Sequence, residues 1–283
     1  MNRVEEIRKA VLDMMSKVSY EDRDHVYKRK DNGAYLQGVS SVSSIVPKPW
    51  LSAWGAKECA KFLGYSDYGD KEKAIKIKEK IEKLTPEKYI ALLKEAKGAC
   101  RRKSKEALVD GTVGHEWLEN YIKAKTRGEE PPEIPQDNLK RPITQWLEWE
   151  KKNVDTWILS EAIVSRIDKG YAGTLDAMAI LKDGRLALID FKFSNHISED
   201  YYLQTAGYQA TFEPYGIKVD TRIIIRLPKT LTREEYDKKN RQYKKVENSI
   251  EVVEVETDYE NDRDVFFHCL PVKAWINKII NKK

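Results

Sequence analysis

Apolar positions along the chain keep a helical spacing through most of the first 156 residues and then shorten to strand-like runs. Residues 3–17 read as an amphipathic helix. Residues 49–63 read as another, anchored by Trp50, Trp54 and Phe62. A lysine-rich helix covers 71–84, and Thr85-Pro86-Glu87 restarts one, a cap residue followed by proline in the first turn. Helices are predicted over 100–126, ending before Gly128 and the prolines at 131, 132 and 135, and over 140–156 with Trp146 and Trp149. Beyond them, 157–164, 172–181 and 186–193 are short β-rich runs separated by turn residues. Residues 201–213 return to helix, 222–227 make a buried strand around Ile223-Ile224-Ile225, 250–255 alternate like a strand, and 265–281 close as a helix. Near the start, His25–Lys28 and Ala34–Leu36 flank Asp31-Asn32-Gly33, a tight-turn signal for a hairpin.

Strands interleaved with helices predict an α/β fold with a central mixed β-sheet flanked by helices. The expected division is a core over 100–283, with a hairpin and basic helical region over 1–99 packed on it. The tryptophans at 50, 54, 117, 146, 149, 157 and 275 are expected in the core, and His25, His196 and His268 are read as structural or surface residues.

Composition narrows the class. With 41% hydrophobic residues and 10% aromatics in 283 positions, the chain can bury a core without staples. No apolar run approaches the eighteen or so residues that a membrane span needs, and the acid-bearing N-terminus lacks the apolar stretch of a secretory signal. Cys59, Cys100 and Cys269 are far apart and odd in number. They argue against a disulfide scaffold and against an iron–sulfur cluster, and they fit a reducing compartment. The expected location is the cytoplasm of a bacterium or a phage-infected host cell.

The net charge is only +5, but it is unevenly spread. Residues 71–105 hold thirteen Lys/Arg against five Glu, and 229–245 hold seven against three acids. Residues 251–264 hold seven acids against one Arg and read as a solvated loop. Basic blocks suggest a polyanionic partner, with solvated helix faces as the plain alternative.

The most informative chemistry lies in Gly173-Thr174-Leu175-Asp176 and Leu188-Ile189-Asp190-Phe191-Lys192, joined through Lys182-Asp183-Gly184-Arg185. A three-residue loop pairs 181 with 185 and sets Asp176 opposite Asp190; a two-residue loop shifts this by one. Asp190 and Lys192, two apart, share a side of the strand, while Ile189 and Phe191 point into the core. Two carboxylates forced together repel, and a hard divalent cation, Mg²⁺ or Mn²⁺, relieves the conflict. A neighbouring lysine can then orient or deprotonate an attacking water and offset developing charge. An ordinary surface ion pair is the competing reading.

His115 and Glu119 are four apart on a predicted helix and share a face, an imidazole–carboxylate pair suited to Mn²⁺. Gly111 and Gly114 beside them suggest close backbone packing. Gln204 and Tyr208 share a helix face and could hydrogen-bond a substrate phosphate or base. Glu161, on the strand before the hairpin, could face the same site.

In this order, His115-x-x-x-Glu119, Gly173-Thr-Leu-Asp176, Asp190-Phe-Lys192 and Gln204-x-x-x-Tyr208 resemble the RecB-like branch of the PD-(D/E)XK nucleases. Ser41-Val42-Ser43-Ser44-Ile45, followed by Trp54 and Lys57, looks like the N-terminal signature of a subgroup containing phage exonucleases and the mitochondrial genome maintenance exonuclease. The resemblance spans about residues 25–230. It implies a restriction-endonuclease-like core and metal binding by His115, Asp176, Asp190 and the Phe191 carbonyl, with Glu119 and Glu161 as further candidates. Lys192 would be the catalytic lysine, and Gln204 and Tyr208 would help hold the substrate or the lysine. Leu175 stands where the superfamily name has proline, and Asp190 takes the place of the more common Glu.

The expectation is a Mg²⁺/Mn²⁺-dependent DNA exonuclease acting on single strands or DNA ends in recombination or replication, with the 71–105 helices arching over the site to thread a strand. A structure-specific endonuclease on the same fold and a non-catalytic nucleic-acid-binding module are the alternatives. Cleavage polarity and oligomeric state are left open.

Overall fold

In a computed structural model, the described residues are 2–21, 26–65, 71–237, 239–240 and 242–280. They fall into two compact units. The first combines residues 1–46, 114–229 and 249–283; the second combines 47–113 and 230–248. This differs from the expected division at residue 99. The physical reason is strand pairing, since the N-terminal hairpin is hydrogen-bonded into the main sheet.

The first unit opens with α1 (Arg3–Lys17), whose Asn2 cap accepts from Val4 N–H and whose Glu5 returns a bond to the cap backbone. Then come β1 (Val18–Glu21), β2 (Val26–Arg29), β3 (Tyr35–Gly38) and the short α2 (Val39–Ser43). The β2–β3 turn carries Gly33 at φ 71, as Asn-Gly predicts; His25 lies outside the described residues.

The second unit holds α3 (Trp50–Phe62), α4 (Lys71–Glu82), α5 (Pro86–Lys97) capped by Thr85, and the first half of α6 (Ala99–Arg127). Inside it, the Arg102 guanidinium lies 5.2 Å from the Phe62 ring centroid and donates to the Glu95 carbonyl.

The rest of α6 returns to the first unit, followed by α7 (Lys140–Asn153), β4 (Val154–Arg166), β5 (Tyr171–Leu181), β6 (Leu186–Lys192), α8 (Asp200–Gln209) and β7 (Thr221–Arg226). A hairpin of β8 (Thr232–Asp237) and β9 (Gln242–Glu247) belongs to the second unit; β10 (Glu251–Glu254) and α9 (Tyr259–Ile280) complete the first. Both basic blocks of the sequence, Lys229 apart, thus fall in the second unit. It has 22 Lys/Arg against 14 Asp/Glu, which makes it +8 and leaves the first unit at −3.

The eight-stranded sheet runs β1-β2-β3-β5-β6-β7-β10, with β4 on β5. It is mixed: β3 pairs parallel to β5 and β6 parallel to β7, and the other pairs are antiparallel. Both faces are covered. Ile7, Val11 and Met14 of α1 pack with Met178, Leu186 and Leu188, and with Tyr208 and Phe266 from α8 and α9. On the other face, Trp117, Ile143 and Trp146 of α6 and α7 pack with Ala177, Ile189, Phe191 and Ile225. Trp117, Trp146 and Trp157 are core residues as expected, whereas Trp50 and Trp275 are exposed.

The acidic 251–264 segment is not a solvated loop. Glu251 pairs with Arg226 and Asp262 with the buried Arg222, at 2.9 and 2.8 Å, and Glu254 pairs with Arg185. Five of these six acids and bases lie on β10 and β7 or at the start of α9, and antiparallel pairing sets Glu251 opposite Arg226. No helix among the described residues is long and apolar enough to cross a membrane.

Candidate metal centre

The β5–β6 hairpin closes through Leu181 N–H to the Arg185 carbonyl, and its ladder runs from Ile180↔Leu186 to Ala177↔Ile189. That is the three-residue-loop register, so the next position brings Asp176 opposite Asp190. There the ladder ends. β5 pairs with β3 at 171–172 and with β6 at 177–180, and Asp176 lies in the interval where β5 changes partner. The amide that β6 would give to the ladder goes to a side chain: Phe191 N–H donates to Asp176 Oδ2 at 2.7 Å. In a strand, a residue's N–H and C=O point to the same side, so the Phe191 carbonyl is aimed towards Asp176 as well.

The side-chain alternation of β5 also breaks here. Leu175 packs on the α1/α8 face, yet Ala177, two residues on, packs on the α6/α7 face. Directly across, between Ser160↔Ala177 and Ala162↔Leu175, stands Glu161. Its φ is 48°, the one positive value at a non-glycine position among the described residues. A left-handed conformation costs an L-residue about 1–2 kcal/mol, and such strain gathers at functional sites.

His115 arrives from α6. A Cβ on Gly114 would lie 2.3 Å from the Phe193 ring, so glycine is what lets the helix press this close to the end of β6. The His115 and Phe193 rings then meet edge to face at 5.2 Å. The result is a three-residue cluster: one ligand atom each from His115, Glu161 and Asp176, all within 4.8 Å of one another. His115 Nδ1 is 4.0 Å from Asp176 Oδ2.

Burial dominates the electrostatics of this cluster. Burial, and then the nearby Lys192 ammonium, lower the His115 imidazole to about 4, so it is neutral with a free lone pair. Burial raises Glu161 to about 8, helped by the charges of Asp176 and Glu119. Asp176 is likewise raised by burial, against the pull of Lys192 and the Phe191 amide.

Asp190 and Glu119 lie beside this trio without joining it. Asp190 is fully buried, and the Lys192 ammonium sits 2.8 and 2.7 Å from its two oxygens. Burial raises Asp190, whereas the carboxylates hold Lys192 above its usual value despite burial. Lys192 also lies 4.9 Å from the Tyr201 ring centroid. Glu119 is bonded to Lys123 one turn on. On α8, Gln204 Nε2 donates to the Tyr208 hydroxyl at 3.3 Å, and Tyr208 feels the charges of Asp176 and Asp190. Gly173 admits α8 here, since a Cβ on it would lie 2.7 Å from the Tyr208 ring.

The motif residues therefore converge on the middle of β5, where the pairing with β6 stops. Tyr27 and Thr174, which the sequence reading did not single out, reach the same place, with their hydroxyls 2.9 Å apart. The only sequence signal for Thr174 is its position two residues before Asp176. No model of a protein family matches this chain, and no curated protein matches it.

Proposed function

We propose that the chain is a Mg²⁺- or Mn²⁺-dependent DNA nuclease of the RecB-like PD-(D/E)XK kind, an exonuclease hydrolysing phosphodiester bonds at DNA ends or in single strands. One observation carries this reading: the His115–Glu161–Asp176 cluster lies beside a buried acid–lysine pair at the end of strand β6. The donor set fits a divalent cation, because two carboxylates that repel are joined by a neutral imidazole. When bound, such an ion would neutralise phosphate charge and acidify a water enough to attack phosphorus.

The chain's own groups supply the rest. His115, Glu161 and Asp176 would hold the ion, with the Phe191 carbonyl aimed to the same side. The Phe191 amide fixes the rotamer of Asp176. Lys192, kept protonated by Asp190 and Asp176, acts as a fixed positive charge towards the phosphate rather than as a base that removes a proton. Tyr208 and Gln204 would orient substrate oxygens. The +8 second unit suits a polyanionic partner, and charge reversal at Lys76, Lys80 and Lys83 is expected to weaken DNA binding and flatten its salt dependence. The location proposed with this reading is the cytoplasm of a bacterium or a phage-infected host cell.

The test is degradation of end-labelled linear DNA, single- and double-stranded, with Mg²⁺, Mn²⁺ or EDTA, beside the Asp176→Ala protein. Metal-dependent loss of label that disappears in the variant supports the reading. Attack on circular single-stranded DNA would make the enzyme an endonuclease. Intact DNA under every condition removes the nuclease reading.

A further inference from the structure

Helix α9 carries two stripes of side chains. The first, Asp262, Phe266 and Leu270, is buried. The second lies on the opposite side and faces solvent. Val265, His268, Val272, Trp275 and Ile279 are all exposed, Trp275 at 63%. They follow one another at alternating intervals of three and four residues. That spacing lines side chains into one seam along a helix, with β-branched residues at 265, 272 and 279 and rings at 268 and 275. At 1.5 Å per residue the seam is about 21 Å long.

The core does not account for the far half of this helix. No residue in 271–280 is buried. The segment begins with Pro271, which has no N–H to bond the Phe267 carbonyl one turn back. A helical segment this short is marginal in water by itself, and here it displays Trp275, Ile279 and Ile280 to solvent. A contiguous apolar stripe rimmed by charge marks an interaction surface.

Charge selects the occupant. Asp264 flanks the seam near its start and Lys278 near its end, on the same edge. Two copies of the helix packed in parallel would set like charges together. Packed antiparallel, Asp264 of each copy lies alongside Lys278 of the other, and the helix dipoles oppose. Centred at the level of Leu270, the same arrangement sets Trp275 against Val265 and Val272 against His268. The surface is therefore self-complementary, as a two-fold axis requires.

We propose that α9 is a dimerisation helix whose exposed seam packs antiparallel on the same seam of a second copy of this chain. The inference does not rest on the nuclease reading, but it touches the same machinery. On the other side of α9, Phe266 fills the space over Gly207, where a Cβ would lie 2.7 Å from the ring. Gly207 belongs to α8, so the dimer helix braces the element that carries Gln204 and Tyr208.

The experiment is sedimentation velocity of the full chain over a dilution series. It compares wild type with Trp275→Ala, with Lys278→Glu and with the charge swap Asp264→Lys plus Lys278→Glu. The wild-type mass is expected to rise with concentration from 32.9 kDa towards twice that value. Trp275→Ala should raise the dimer Kd at least about tenfold, as loss of a central aromatic anchor does. Lys278→Glu should raise it roughly fivefold, because two exposed pairs are lost per dimer. The swap should return it to the wild-type value. Thermal melting reports whether each variant keeps its fold, and the two charge variants carry the test if Trp275→Ala does not. A wild-type chain that stays monomeric up to roughly 0.1 mM overturns the proposal. So does a dimer indifferent to Trp275→Ala, or one weakened by Lys278→Glu that the swap fails to restore. A monomer that binds phosphatidylglycerol vesicles through Trp275 would assign the seam to a membrane surface and overturn it as well.

Discussion

The Phe191 amide donates to Asp176 Oδ2 at 2.7 Å, at the point where β5 and β6 stop pairing. A ladder hydrogen bond is replaced there by one to a side chain, which holds the carboxylate in place before any cation arrives. Asp176→Asn keeps the shape but removes the charge. It is expected to weaken Mn²⁺ binding at least about tenfold, a loss read by calorimetric titration. Wild-type affinity in that variant would remove Asp176 from the cluster.

The Glu161 carboxyl, raised by burial and by Asp176 and Glu119 to about 8, gives the metal-free chain a defined pH dependence. Its folded value lies above the unfolded one of about 4.3, so the folded state binds the proton more tightly. Stability is therefore highest below the unfolded value and falls as pH rises towards 8. A cation cancels that penalty. Mn²⁺ should raise Tm more at pH 8 than at pH 5.5 in paired melts with EDTA; equal shifts at both values would contradict the assignment.

Glu161 also carries positive-φ strain. Glu161→Gly should stabilise the metal-free chain by about 1 kcal/mol in denaturant titration and weaken Mn²⁺ binding in the same protein. A variant that loses stability shows that the left-handed turn is held without strain.

Lys192 and Asp190 are a buried pair, so removing one member strands the other. Lys192→Met should cost about 3–5 kcal/mol, and adding Asp190→Asn should recover much of it. Chemical denaturation of the two single variants and the double variant measures the coupling; strict additivity would mean that the pair contributes nothing as a pair.

Gly114 gives the closest approach at the site. With Phe193 opposite, Gly114→Ala forces a shift costing about 1–3 kcal/mol and displaces His115. In a Phe193→Ala background the same change should be nearly free. An equal cost in both backgrounds would mean that the ring is not what excludes a side chain.

Much of this centre is legible in the sequence, because local rules fix it. Gly184, at φ 86, sets the hairpin loop, and the loop sets the register that brings Asp176 opposite Asp190. Two-residue spacing places Lys192 beside Asp190, and four-residue spacing places Gln204 beside Tyr208. What depends on distant pairing is not legible. The parallel contact of β3 with β5 joins residues 37–38 to 171–172, and no periodicity announces it. Nor does one announce that Glu161, rather than Asp190, completes the trio, since that follows from a backbone turn within β4. The β8–β9 hairpin escaped notice for another reason. Its strands are charged on both sides, so alternation is lost, and its pairing sets Glu235 opposite Lys244 instead.

The change of partner along β5 has a bearing on how the protein matures. Asp176 is fixed only when β5 has β4 on one edge and both β3 and β6 on the other, and the β3 contact must close a loop of more than a hundred residues. Pairings of that span form late. The hairpin that bears Asp190 and Lys192 closes locally, whereas the ligand set is assembled only when β3, β4 and β6 have all joined β5.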